Sequence, residues 1–438
     1  MPGRDNSSKF DVYDRFFHVS IYHITISIVR SAMQEIHPNR VSKQRLTEAA
    51  VRPPYSLTLN MILGIACALL MFQLYVIATL IPEYNREFRS SLMHMAIPAF
   101  AIPFAFVAAG TAFFTSAVLN PGKLFSFSLF ALAAGCILLS FARSGEAFFA
   151  NRILTGLATG TLLPSAFIMA TRSVENRHAF KNLAVIIFFM ATGMTFAPST
   201  GGWLYGSFGW RSIYQVMGLA VMILWFVYLW FRYRQRDLFY RQPKMIKAAS
   251  GSQVISAGWQ IYSFVYLSGV FHSGVFVWII YHFSTSYHLG TVDLATVLII
   301  FGLPGLAITV YMFSFHLDSK VVGLLYSGLV ITAAGLAFML ADPDLFLAEW
   351  ALALMSVGYC ISQPLFLGII KMPEGGVSSG RLIALGCGIL FFGYGTGPLM
   401  MSTMLGTGKT AAMVFLVMLI AAIVTLSRKI WHRSHLSA

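Results

Sequence analysis

Acidic side chains are scarce in this chain. Only 16 Asp and Glu occur in 438 residues, and all of them fall in loops, tails or the ends of apolar stretches. A carboxylate held deep in an apolar interior, with its pKa raised so that it can take up and release a proton, is thereby excluded in its usual form. Cysteine is equally sparse. Cys67, Cys136, Cys360 and Cys387 all lie in apolar runs and show no CxxC spacing, which excludes a disulfide framework or a cysteine metal site and leaves them as small packing residues. No Gly-x-x-x-x-Gly-Lys-Ser/Thr loop is present. Leu405-Gly-Thr-Gly-Lys409-Thr410 lacks the spacing, so nucleotide hydrolysis is not expected. The Ser and His residues form no readable catalytic set, and no cofactor or metal is implied.

Charge of either sign makes up only 11% of the chain while hydrophobic residues make up 57%, which excludes an ordinary water-soluble domain. Runs without charge start near Leu57, Leu92, Leu124, Ala147, Leu183, Ser212, Trp259, Leu294, Val321, Leu347, Leu382 and Thr410. Hydrocarbon offers no partner for open backbone groups, and the period-2 alternation of a barrel is absent, so each run is expected to be a helix. The expected fold is an all-α polytopic membrane protein, with twelve transmembrane helices in two pseudo-symmetric six-helix bundles.

Basic residues give the orientation. If both termini are cytoplasmic, the inner segments hold 24 of the 30 Lys and Arg; the outer ones hold Arg86, Arg89, Arg143, Arg211 and Lys409, and Arg152 lies inside a span. The net charge of +14 is then a topology signal and an attraction to anionic lipid, and nucleic acid is not expected as a partner. The organisation reads as a cytoplasmic tail over 1–56, a first bundle over 57–231, a basic linker over 232–258, a second bundle over 259–427 and a second tail over 428–438. Within the first tail, Phe16 to Val29 is too short to span and fits an interfacial helix or a solvated segment. Nothing in the sequence calls for more than a monomer.

Helix breakers fall in matching places in the two halves: Pro98 and Pro103 against Pro304, Pro164 against Pro364, Pro198 against Pro398. Paired interruptions point to repeats that rock about a central site, because weakened helices can bend there without exposing backbone to lipid. The densest interruption is Gly193-Met-Thr-Phe-Ala-Pro198-Ser-Thr-Gly201-Gly202, where small residues admit a neighbouring helix to backbone distance and Pro198 favours a kink. The eleventh span repeats this crowding, from Gly386 to Pro398.

These features resemble the major facilitator superfamily, in particular its twelve-helix drug:proton antiporters. Gly193 to Gly202 is similar to their fifth-helix motif Gly-x-x-x-Gly-Pro-x-x-Gly-Gly, with Ala197 in place of the second glycine. Trp210-Arg211-Ser-Ile-Tyr214 resembles the Trp-Arg-x-Ile-Phe that follows, and Asn151-Arg152-Ile-Leu-Thr155-Gly156 resembles the fourth-helix motif Arg-x-x-Gln-Gly. The charged latch loop after the second helix keeps only Gly122 and Lys123, its equivalent Phe315 to Lys320 keeps one acid and one base, and Gln73 stands where a first-helix acid is usual. The resemblance implies a secondary transporter in a bacterial inner membrane, exporting small amphipathic or lipophilic compounds by alternating access. Proton antiport is one energy source; a proton-independent facilitator or exchanger, an uptake permease, and a non-transporting sensor or scaffold are the alternatives.

Two residues stand out as coupling candidates. A cation inside a span costs about 2.5–3.5 kcal/mol at the centre, so Arg152 should face a protein interior or reach to the interface; inside, it would bias a nearby proton site or hold an anion. His272 lies near mid-membrane, where imidazole could carry the proton a carboxylate otherwise carries, although a lone histidine in a bundle is more often a hydrogen-bonded packing residue. Gln73, Tyr75, Trp278, Gln363 and Tyr394 are the expected lining of a central cavity.

Overall fold

The computed structural model describes residues 57–89, 103–115, 120–171, 176–235, 251–313, 321–339, 341–370 and 379–436. The expected tail over 1–56, Pro98, both latch loops apart from Asn120 to Lys123, and the middle of the linker lie outside the described residues, as do the side chains of Gln363 and Pro364.

Every regular element described is helical. In chain order these are α1 (Leu57–Glu87), a π-helical turn (Pro103–Ala108) running into α2 (Ala109–Thr115), α3 (Pro121–Ser140), α4 (Gly145–Thr171), α5 (Asn176–Arg234), α6 (Gly251–Ser286), α7 (Thr291–Phe313), α8 (Val321–Met339), α9 (Leu345–Ile370), α10 (Ser379–Thr407) and α11 (Lys409–Leu436). Eight described stretches are long and apolar enough to cross a membrane, and one of them, Val185–Arg234, is long enough for two crossings. With the shorter apolar helices Ala105–Thr115, Tyr326–Met339 and Leu345–Ile361, they cover the twelve spans expected from sequence.

The junctions explain why the long runs fold back as they do. At Gly209, φ is 73° and ψ is 163°, a conformation open essentially to glycine alone, and there α5 breaks into two limbs that serve as the fifth and sixth spans. Arg89, His288, Asp342 and Gly408 also take positive φ, and each follows the end of an odd-numbered span. Caps satisfy open helix ends. Asp344 Oδ1 accepts from the Leu347 amide at 2.9 Å, and Ser144 Oγ accepts from the Ala147 amide at 3.2 Å. At the opposite face, Asn120 accepts from the Lys123 amide at 3.1 Å, with Pro121 in the first turn of α3. Pro103 opens the π-helical turn of the second span, as expected of a residue that removes an intrahelical bond.

Two helices run past their apolar stretches. α5 continues to Arg234, and α6 begins at Gly251, eight residues before Trp259, within the 232–258 segment read from sequence as linker. Composition signals flexibility there, but a helix already nucleated in the bilayer adds a bonded residue at each step.

Apolar side chains face two ways. Leu63, Leu70, Phe125, Phe148, Phe264 and Phe391 are fully buried, whereas Phe106, Phe127, Trp203, Phe226, Trp230 and Trp350 are exposed on the outside. Hydrocarbon as solvent permits the second set. The two halves repeat one packing pattern. α1 packs mainly on α5 and α6 mainly on α10, the fifth-on-first contact of each bundle. The halves meet where α5 lies against α7, and where α10 lies against the π-helical turn and α2, again the fifth helix of one half on the second of the other.

Glycine makes these approaches close. A Cβ at Gly193 would collide with the Ala68 backbone of α1, and one at Gly393 would sit 2.5 Å from the Tyr266 carbonyl of α6. On the opposite faces of the same helices, a Cβ at Gly202 would sit 2.6 Å from the Ala295 Cβ of α7, and one at Gly395 would strike Ala105 of the second span. Each fifth helix is thus a two-sided small-residue surface, gripping its own half on one side and touching the other half on the second.

Candidate functional site

A cavity of about 100 Å³ lies between the halves. Its walls come from α4 and the first limb of α5 on one side, and from α6, α7, α9 and α10 on the other. Most of the lining is apolar, with Phe167, Met190, Met194, Phe301 and Leu390 among its larger side chains. Among the described lining residues there is no Asp, Glu, Lys or Arg.

Polarity is concentrated on one side. His272 is 3% exposed, its ring is stacked on Tyr359 (centroids 4.6 Å apart, planes 12° apart), and it lies 5.5 Å from the Tyr394 ring, 5.6 Å from Tyr75 and 5.1 Å from Phe276. Around the imidazole the rings of Tyr75, Tyr359 and Tyr394 come together, which brings α1 of the first half up against α9 and α10 of the second. The His272 Nε2 has no hydrogen-bond partner in the protein. The His282 Nε2 also has none, so what distinguishes His272 is that its unpartnered nitrogen belongs to a ring lining the cavity. Thr195 adds a further bridge, its hydroxyl donating to the Gly302 carbonyl at 3.3 Å from within the fifth-helix motif.

The residues singled out in the sequence separate into three groups. His272 and Tyr394 line the cavity, and Tyr75 packs directly behind them. Gln73 and Trp278 are not among the lining residues. Gln73 is fully buried with neither amide atom hydrogen-bonded, and Trp278 is stacked on His282 with centroids 4.9 Å apart. Gln363 lies in α9, and its side chain is outside the described residues. Arg152 is 1% exposed and sits among the helices of the first half, where Tyr84, Tyr214 and Cys136 are its electrostatic neighbours. It therefore does not reach to the interface. The Tyr84 and Tyr214 hydroxyls are 3.0 Å apart, and the Thr155 hydroxyl donates to the Arg152 carbonyl at 3.0 Å. Arg152 and His272 belong to different clusters.

The motif glycines and prolines hold helices together and contribute no polar group to the cavity. Gly201 packs on Val76, Gly202 on Ala295, and the Pro198 carbonyl accepts from the Thr79 hydroxyl at 3.3 Å. Pro398 is buried in α10. Trp210 and Arg211 form a clamp at the junction end of the first half. Trp210 Nε1 donates to Glu87 Oε2 at 2.6 Å, Arg211 pairs with the same carboxylate and donates to the Ala142 carbonyl at 2.9 Å, and its guanidinium lies 4.3 Å above the Trp210 ring. Burial alone would raise the Glu87 pKa. Hydrogen bonds from Arg211 and Trp210, with the charges of Arg211 and Arg86, outweigh it and hold the carboxyl below its ordinary range.

Tyr359, Phe276, Phe301, Ser268 and Ser356 also line the cavity and were not singled out in the sequence. A signal existed: Ser268, His272 and Phe276 recur every four residues along α6, and Cys387, Leu390 and Tyr394 share one face of α10, so each set is a single helical stripe.

The sequence profile described as the Major Facilitator Superfamily matches residues 62–371. A purine ribonucleoside efflux pump of Escherichia coli is 25% identical over 195 residues, 43% of this chain and 48% of that protein. A multidrug resistance protein B homolog of Mycobacterium tuberculosis is 30% identical over 105 residues, 23% of this chain and 19% of that protein. The chain thus matches about half the length of the first relative and about a fifth of the second. Among solved structures, the human organic anion transporter superposes with a TM-score of 0.66 at 14% identity, covering 86% of this chain and all of that one. A bacterial homolog of the human lysosomal transporter Spinster, inward-facing and unoccupied, gives a TM-score of 0.60 at 13% identity, with 86% and 97% covered. These two likenesses concern the fold. With the profile spanning most of a chain whose described helices surround a cavity between two halves, the protein belongs to the Major Facilitator Superfamily and is an integral multi-pass membrane protein.

Proposed function

We propose that the chain exports small amphipathic or lipophilic compounds by alternating access, in a bacterial inner membrane with both termini cytoplasmic. The observation that carries this reading is the cavity between the halves, apolar over most of its wall and polar at the His272, Tyr359 and Tyr394 cluster. Such a wall suits a solute that is apolar in bulk with a few polar atoms. The small-residue faces of α5 and α10 supply surfaces on which the halves can rock, and likeness to two proteins named for efflux or drug resistance supports the outward direction.

The energy source follows from the groups available. Proton antiport would run through His272, with Arg152 biasing the first half electrostatically. The absence of a carboxylate among the described lining residues favours the second reading, exchange or facilitated transport without protons. Counterflow and proton movement, measured together in liposomes with a pH-sensitive dye and a panel of lipophilic cations, neutral drugs and organic acids, separate the two. Opposed solute and proton fluxes, lost in Arg152→Ala, establish antiport, and flux without protons establishes an exchanger or facilitator. Strictly inward uptake overturns export, and no flux with any compound leaves a membrane sensor or scaffold.

A further inference from the structure

We propose that the central cavity selects an uncharged, flat aromatic or heteroaromatic solute with a polar edge, discriminates against permanent cations and anions, and uses the His272 Nε2 as its selecting hydrogen-bond contact. This rests on the transport reading above.

Three observations converge. First, the described lining residues carry no charged side chain, and the titratable groups facing His272 are Tyr75, Tyr359 and Tyr394, with Cys360 and Cys387 elsewhere on the wall. At their ordinary pKa values these are neutral near pH 7. A permanent charge entering would lose its hydration without gaining a counter-charge. Ring faces attract a cation, but by less than the desolvation of a full charge costs, and protonation of His272 would add repulsion. An anion would find no Lys or Arg among these residues.

Second, the cluster is built of ring faces. His272 stacks nearly parallel on Tyr359, Phe276 and Phe301 meet edge to face with centroids 5.5 Å apart, and the cavity measures about 100 Å³. A planar solute fits between such walls with little loss of contact, whereas a bulky one requires the halves to part. Third, His272 Nε2, on a residue that lines the cavity and is 3% exposed, has no partner in the protein. A neutral imidazole nitrogen either donates or accepts according to tautomer, so a solute edge carrying both kinds of group satisfies it. A solute with no polar edge leaves the nitrogen unmet.

Nicotinamide, 1-methylnicotinamide and nicotinate share one ring and differ mainly in charge, which makes them a matched set of probes. Titration calorimetry on the full-length protein and counterflow in liposomes should show nicotinamide bound and moved, and the cation and anion at least about tenfold weaker. His272→Phe, which keeps the ring and removes the nitrogen, should weaken nicotinamide about tenfold, while His272→Gln, which keeps a polar group, should weaken it less. Binding of 1-methylnicotinamide or nicotinate as tight as that of nicotinamide overturns the proposal, as does equal nicotinamide binding in wild type and a folded His272→Phe. If members of the lipophilic panel are transported and none of the three probes binds, the inference falls and the transport reading stands. If no solute of either set moves, both fall.

Discussion

Single atoms decide much of this structure. Gly193 has no room for a Cβ because the Ala68 backbone of α1 lies there, whereas Gly206, thirteen residues along the same helix, has nothing within 4 Å. Gly193→Ala should therefore destabilise the protein by about 1–3 kcal/mol through forced separation of α1 and α5, with Gly206→Ala near neutral. Thermal unfolding in detergent compares them. Glu87 gives a pH-dependent counterpart. Its folded pKa is lowered, so its stabilisation is fully present above the ordinary unfolded value of about 4.3 and is lost as pH falls through the folded value. Because the pair is partly exposed, the Glu87→Gln penalty should be about 1 kcal/mol at pH 7 and should vanish in acid, as read from the stability difference across a pH series. Residue types at these places were legible in the sequence, but their neighbours were not. Arg152 and His272 both stood out as polar groups in apolar runs, yet only the packing of α3, α4 and the second limb of α5 around Arg152 puts the two in separate clusters.

At the scale of elements, the number of spans was readable because hydrocarbon leaves a helix as the only open-ended way to satisfy a backbone. Their ends were less so. Hydropathy falls at the membrane surface while helical hydrogen bonding continues past it, which is why α5 reaches Arg234 and α6 starts at Gly251. The break at Gly209 carries a clear expectation. Any Cβ there is strained at φ 73° and ψ 163°, so Gly209→Ala should cost about 1–3 kcal/mol although nothing lies within 4 Å of the added atom. The Trp210–Arg211–Glu87 clamp begins at the next residue and should loosen with it, measurable as faster proteolysis at this junction. The fifth-helix motif was the most informative segment of the sequence, but its two-sidedness became visible only when Gly193 was found on α1 and Gly202 on α7. Periodicity says which residues share a face. It does not say which partner each face meets.

For the whole molecule, the pseudo-symmetry inferred from paired prolines reappears as paired packing, α1 with α5 and α6 with α10 inside the halves, and α5 with α7 and α10 with α2 between them. Glycine brings helices to backbone distance both within a half, at Gly193 and Gly393, and between the halves, at Gly395, so the fifth helices serve both kinds of contact. The cavity was only partly legible for a related reason. Tyr75, His272 and Tyr394 come together from helices far apart in sequence, and no one-dimensional pattern links them. The most direct test of rocking halves joins them. A Cβ at Gly202 lies 2.6 Å from the Ala295 Cβ, so a Gly202→Cys, Ala295→Cys pair can bridge once the helices widen by about 1 Å toward the usual Cβ separation. With each single-cysteine variant first shown to transport, oxidative cross-linking should abolish solute flux in liposomes and reduction should restore it. Undiminished flux through fully cross-linked protein would contradict alternating access about this interface.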